Sequence, residues 1–137
     1  MSNYHTTRRI EFRDTDAAGI AHFSTFFDLM EEVEHELLRS RGLQVFTTDD
    51  SRTFSWPRVH ASCDFHSPVK FDDIVEIDVD LVKVGEKSLT YKFSFSIDGR
   101  LVAVGKVISV CCQISERGAP KSIEIPEWFS QQLLASD

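Results

Sequence analysis

The sequence predicts an α+β domain in which a curved antiparallel sheet of five to six strands wraps around one long helix. Three observations carry this reading. An amphipathic stripe runs from Thr25 to Ser40, with Phe26, Leu29, Met30, Val33, Leu37 and Leu38 at helical spacing. Beyond Thr53 the apolar pattern changes to alternation, cleanest at Leu89, Tyr91, Phe93, Phe95 and Ile97. Asp98-Gly99 then separates two apolar runs and is a strong hairpin signal, so those strands run antiparallel. One helix cannot hide its stripe alone, and a sheet curved around it does so.

The elements follow in order. Thr6–Arg13 reads as a first strand with Ile10 and Phe12 on one face, and Asp14–His22 as a loop containing Gly19. Thr25 is placed to cap the helix, with Asp28 three residues on. Asp28, Glu31 and Glu32 crowd the first turns, where the helix dipole favours negative charge. Arg39 and Arg41 lie at the other end, and Gly42 can stop the helix in the left-handed conformation. Leu43–Arg52 reads as an irregular loop. Val59–His66 is a strand after Pro57, Pro68 and Asp72-Asp73 mark a turn, and Ile74–Val84 is a strand turned by Gly85-Glu86.

Leu101–Ile114 returns as one long strand with two largely apolar faces. Leu101, Ala103 and Val107 form one, and Val102, Val104, Ile108 and Val110 the other. Such a strand needs cover on both sides. The helix supplies one cover, and a second subunit is the natural other. Ser122–Ile125 adds a last short strand and Pro126–Leu134 a terminal helix. No repeat or linker divides the 137 residues, so 1–137 reads as a single domain.

Composition narrows the function. A chain with 42% hydrophobic and 27% charged residues is ordinary for a globular protein. Its net charge of -7 makes it a poor general ligand for nucleic acid or anionic membrane. An anionic ligand would have to meet a local cluster of bases. No run of about 18 apolar residues is present to span a membrane. Met1–Thr7 is polar without an apolar core, so no secretory leader is expected there. Cys63, Cys111 and Cys112 are odd in number and lack paired spacing, which reads as small apolar thiols in a reducing cytoplasm. His60 and His66 would share a strand face with Cys63 on the other, a spacing that does not suit zinc, so no metal is expected.

The one segment that looks chemical is Asp14-Thr15-Asp16-Ala17-Ala18-Gly19-Ile20-Ala21-His22-Phe23. Two carboxylates, a glycine turn and a histidine precede a helix N-terminus. That end offers free N–H groups and a positive dipole, which can hold a developing oxyanion. A nearby carboxylate can attack a carbonyl or activate water. Asp and Gly are equally the residues of any strand-to-helix turn, and on composition alone both readings stand.

The run RRIEFRDTDAAGIAHFSTFFDLMEEVEHELLRSRGL resembles the opening of the 4-hydroxybenzoyl-CoA thioesterase family of hotdog-fold proteins, including its acyl-CoA thioesterase and dihydroxynaphthoyl-CoA hydrolase branches. WPRVHASCDFHSPVKFDDIVEI and LVKVGEKSLTYKFSF resemble later family segments in the same order, so the likeness spans nearly the whole chain. It implies a hotdog fold and hydrolysis of an acyl-CoA, aromatic or short to medium aliphatic, with coenzyme A as part of the substrate and no separate cofactor. It implies Asp16 as the catalytic carboxylate, as nucleophile or as base on water. Phe23 would polarise the thioester carbonyl through its N–H, and Gly19 would keep the loop tight. His22, Glu31, Trp56 and His60 would line the acyl pocket. Lys87, Ser88 and Lys121 would meet the coenzyme A nucleotide and phosphates. It further implies a homo-oligomer, a dimer or a dimer of dimers. The chain departs from the family in having Thr25-Phe26 for Asn-Tyr and Gly85-Glu86 for a basic pair. A carrier-protein thioesterase, a non-catalytic acyl-binding module and an acyl-CoA hydratase are the other readings of the same fold.

Overall fold

The computed structural model describes residues 3–50 and 52–135. β1 (Tyr4–Arg9) leads through a 3-10 turn at Phe12–Asp14 into α1 (Phe23–Ser40). Next come β2 (Thr47–Asp49), β3 (Arg52–Ser55), β4 (Arg58–Phe65), β5 (Ile74–Val84) and β6 (Ser88–Ile97). The chain ends with β7 (Arg100–Val110), β8 (Cys112–Ile114), β9 (Lys121–Ser122) and α2 (Glu127–Leu134). The main sheet has five antiparallel strands in the order β1-β5-β6-β7-β4, and the short strands form a second sheet, β2-β3-β8-β9.

The stripe read from the sequence is the face that α1 buries. Phe26, Leu29, Met30, Val33, Leu37 and Leu38 join Ile77, Val79, Phe93 and Phe95 of the sheet in one core. Burial of each such side chain contributes about 1.5–3 kcal/mol, which fixes the rotation of the helix on the sheet. At the crossing β7 carries Gly105, where an added Cβ would collide with Met30 Sδ. The missing side chain there leaves room for the Met30 thioether against β7. The helix ends as expected, with Gly42 at φ 73° and the Leu43 N–H on Leu38 O at 2.8 Å. Asp98 and Gly99, at φ 50° and 79°, form the tight hairpin between β6 and β7.

Several expected boundaries move, each for a local reason. The first strand ends at Arg9 rather than Arg13, because Asp14 Oδ2 accepts the Glu11 N–H at 2.8 Å and folds the chain into the 3-10 turn. The helix starts at Phe23 with His22 as its cap, not Thr25. His22 Nδ1 accepts the Ser24 N–H at 3.2 Å, and the Thr25 hydroxyl instead donates to Asp14 O at 2.9 Å. The loop expected over Leu43–Arg52 contains β2, too short to carry an alternating pattern.

The long strand expected over Leu101–Ile114 breaks at Cys111. β3 and β8 continue the β4–β7 ladder in the register that pairs Arg58 with Ser109, after a gap at Trp56-Pro57. In that register Pro57 faces Val110: it accepts the Val110 N–H at 2.9 Å but has no N–H to return, whereas the Cys111 N–H on Lys87 O at 2.7 Å carries on the β6–β7 register. A register shift between Phe95 and Ser96 rotates the start of β7, exposing Leu101 and burying Val102. The last strand is Lys121–Ser122 rather than Ser122–Ile125, since the Ile123 and Ile125 N–H groups go to Cys111 O and Glu86 O outside a ladder.

Candidate active site

The loop between the 3-10 turn and α1 is closed by its own backbone. The Asp16 N–H donates to Ile20 O at 2.8 Å, the Gly19 N–H to Asp16 O at 3.0 Å, and Thr15 bridges Ala21. The turn needs Gly19, whose φ is 80°. Asp14 serves the turn: its carboxylate holds Glu11, and its carbonyl accepts the His22 N–H at 2.7 Å. Asp16 has a different place. Its Oδ1 accepts the Ala18 N–H at 2.8 Å, which fixes the carboxylate and leaves Oδ2 without a protein partner among the described residues.

Asp16 borders a cleft of about 490 Å³ whose walls are mainly apolar: Ile20, Phe23, Phe26, Phe65, Pro68 and Val69. Phe26 stands edge-on to Phe65 and Phe95, each at 5.3 Å between ring centres. The segment after β4 is tied to the Asp16 loop, with the Ala21 N–H on Val69 O at 2.7 Å and Ile20 bridged to Lys70. At the start of α1 the neighbouring donors are engaged, His22 N–H on Asp14 O and Ser24 N–H on His22 Nδ1. The Phe23 N–H has no protein acceptor among the described residues, so the positive helix end presents one free donor beside the cleft.

The other sequence-derived candidates lie elsewhere in the chain. His22 and Glu31 line a separate polar groove with Asp14, Asp28 and Glu32. Trp56 is 1% exposed and packs on Phe129 of α2, so it does not line the cleft of its own chain. His60 is exposed on β4, its Nε2 at 3.1 Å from Ser62 Oγ. Lys87 is exposed at the turn before β6, Ser88 begins that strand, and Lys121 is exposed on β9. Ser88 pairs with Val110, whereas Phe65 at the cleft pairs with Ala103. At strand rise those positions are about 23 Å apart along β7. One chain therefore does not bring Lys87 to Asp16.

Sequence reading missed Phe65, His66 and Ser67, which the fold brings to the cleft from beyond β4. It also missed a buried ion pair. Glu34 is 1% exposed on the helix stripe and pairs with Arg58 at the start of β4, whose second terminal nitrogen donates to Trp56 O at 2.6 Å. Burial pushes the Glu34 carboxyl from 4.5 up to about 7, outweighing the pull of Arg58, and Glu31 adds to the rise. The signal was present: Glu34 lies four residues after Met30 and four before Leu38, on the apolar face.

A helix held against an antiparallel sheet, with a loop carboxylate and an aromatic cleft at its N-terminus, is the arrangement of a hotdog-fold thioester hydrolase. Residues 10–133 match the Thioesterase-like superfamily, and the chain belongs to that family. It is 29% identical over 127 residues to a 1,4-dihydroxy-2-naphthoyl-CoA hydrolase of Crocosphaera subtropica, covering 89% of this chain and 92% of that protein. A gentisyl-coenzyme A thioesterase structure superposes with a TM-score of 0.80 at 25% identity, over 95% of this chain and 99% of that one. A 4-hydroxybenzoyl CoA thioesterase mutant, in complex with 4-hydroxybenzoyl CoA, shares the fold with a TM-score of 0.80 at 19% identity, covering 95% of this chain and 97% of that one. Among the described residues, no helix is long and apolar enough to cross a membrane.

Proposed function

We propose that this thioesterase hydrolyses an acyl-coenzyme A with an aromatic acyl group, and that Asp16 is its catalytic carboxylate. The observation that carries the reading is the pairing of two free groups at one cleft. These are Asp16 Oδ2, oriented through Oδ1 by the Ala18 N–H, and the unengaged Phe23 N–H at the start of α1. The thioester carbonyl oxygen sits on the Phe23 N–H, where the helix end stabilises the charge that develops in addition. Asp16 then adds to the carbonyl carbon, or takes a proton from a water that does so. The C–S bond breaks and coenzyme A leaves as thiolate. In the first route water then cleaves the acyl–Asp16 anhydride to free the acid and restore the carboxylate. Solvent ¹⁸O found in Asp16 after a single turnover, from attack at the Asp16 carbonyl, would mark that route, since the second leaves the carboxylate unlabelled. The phenylalanine walls and the aromatic acyl groups of the relatives support an aromatic substrate.

The working unit in this proposal is a homodimer joined through β4, with tetramers as pairs of such dimers. β4 is an edge strand of eight residues whose outer side carries no strand among the described residues. Val59 is 64% exposed there and Phe65 50%. A bare edge of this length, with two large apolar side chains exposed on it, favours pairing with another chain. Antiparallel pairing of two β4 strands would set one chain's Phe65 end, beside its Asp16 cleft, against the partner's Arg58 end. The partner would thereby close the site and supply the Trp56 end, and Lys87, Ser88 and Lys121 remain the candidate contacts for coenzyme A phosphates. The three cysteines are free, which suits a cytoplasmic setting.

The test is thiol release from hydroxybenzoyl-, dihydroxynaphthoyl-, butyryl- and palmitoyl-CoA. Asp16→Asn is expected to lower kcat/KM by about 100-fold or more. Turnover within a few-fold of wild type would remove Asp16 from its role. Failure to cleave any thioester would favour an acyl-binding module. Sedimentation showing only single chains at micromolar concentration would end the dimer reading.

A further inference from the structure

We infer that His66 is the residue that reads the acyl group, by hydrogen bonding to a ring hydroxyl of an aromatic thioester. This rests on the aromatic reading of the cleft proposed above. The polar residues that line the cleft are Asp16, His66 and Ser67, with His66 exposed to solvent. Asp16 is held by the Ala18 N–H, and Ser67 Oγ accepts from Arg100 Nη1. The His66 ring has no protein partner among the described residues.

Its backbone, by contrast, is fixed. The His66 and Ser67 N–H groups both donate to Val102 O, at 2.8 and 3.2 Å, and the following residues are pinned to the Asp16 loop through Val69 and Lys70. A free imidazole on a fixed backbone therefore shares one frame with the carboxylate. His22 is engaged elsewhere. Its Nδ1 caps α1, its ring stacks on Phe23 at 4.5 Å, and it lines the separate polar groove.

Imidazole both donates and accepts, so it can pair with a phenolic hydroxyl in either sense. Against walls that are otherwise hydrocarbon, one such group separates a hydroxyaryl substrate from an unsubstituted one. An apolar cleft alone gives no such preference.

The experiment compares kcat/KM for 4-hydroxybenzoyl-CoA and benzoyl-CoA in wild type, His66→Ala and His66→Gln. Wild type is expected to favour the hydroxylated thioester. In His66→Ala that ratio should fall about three- to tenfold, the worth of one hydrogen bond at an open site. Glutamine keeps a donor and an acceptor and should restore part of it. A ratio unchanged in His66→Ala, or a loss that is equal for both substrates, overturns the inference while leaving the aromatic reading intact. Preference of the wild type for aliphatic over both aryl thioesters overturns the aromatic reading, and this inference with it. Thermal melts of both variants check that the fold is retained.

Discussion

Replacing Glu34 by glutamine should stabilise the protein above neutral pH and leave it nearly unchanged near pH 5. Glu34 is buried against the sheet, and burial lifts its carboxyl from 4.5 to about 7 despite Arg58. Between those values the folded protein holds a proton that the unfolded chain has released, so stability falls as pH rises through the window. The full rise corresponds to about 3 kcal/mol. Glutamine has the same shape and does not ionise. The stability difference should therefore open from near zero at about pH 5 to at most about 3 kcal/mol above pH 8, less whatever Arg58 loses in its bond to a neutral partner. At roughly 4 °C per kcal/mol for a chain of this size, that is up to about 10 °C in Tm. Far-UV circular dichroism melts of both proteins across this pH range measure it. A constant offset would refute the reasoning and mean that the attraction of Arg58 cancels the desolvation of Glu34, and a difference that opens as pH falls would mean that it outweighs it.

Other perturbations test the frame around the site. Arg58→Met leaves Glu34 buried without the partner that holds its carboxyl down, so Glu34 takes up its proton above pH 7; the cost, up to about 3–5 kcal/mol in alkaline solution, should shrink as pH falls towards 7 and stay constant below it, which denaturant titration at pH 9, 7 and 6 reads. Gly19→Ala meets no heavy atom within 4 Å, so its cost is backbone strain alone, about 1 kcal/mol in stability, with a fall in kcat where the loop relaxes and Asp16 shifts. Gly105→Ala drives a methyl against Met30 and should cost about 1–3 kcal/mol, seen as a lower denaturation midpoint. Val59→Lys puts charge on the bare edge of β4 and should shift sedimentation towards single chains, with activity falling alongside if the partner completes the site.

What could be read from the sequence depended on how local its cause was. The α1 stripe, the Gly42 stop and the Asp98-Gly99 hairpin are set by neighbours in the chain, and they stand in the structure where the pattern puts them. The break at Cys111 is set by Pro57, more than fifty positions away, whose missing N–H interrupts the facing ladder. Alternation within Leu101–Ile114 carries no trace of that. The site divides in the same way. Asp16, Gly19 and the helix end are consecutive, so a loop motif could mark them. His66 reaches the cleft because Val69 and Lys70 join the Asp16 loop across the fold, and within its own strand it looked only like a companion to His60.

The proposal of His66 beside His22 turns on one competition. A histidine directly before a helix can serve the helix or the substrate. Here the backbone wins, since the Ser24 N–H would otherwise lack a partner at the first turn. Holding His22 in the cap fixes where α1 begins, and that start is what leaves the next donor, the Phe23 N–H, open to the cleft. A substitution that frees the His22 ring should therefore harm catalysis by unsettling the helix end, not by removing a contact to the acyl group. His22→Asn, which keeps a cap, and His22→Ala, which does not, separate these effects. Asparagine should retain most of kcat, whereas alanine should lower it and cost about 1 kcal/mol of stability. If the two variants lose activity equally while differing in stability, His22 acts on the substrate after all.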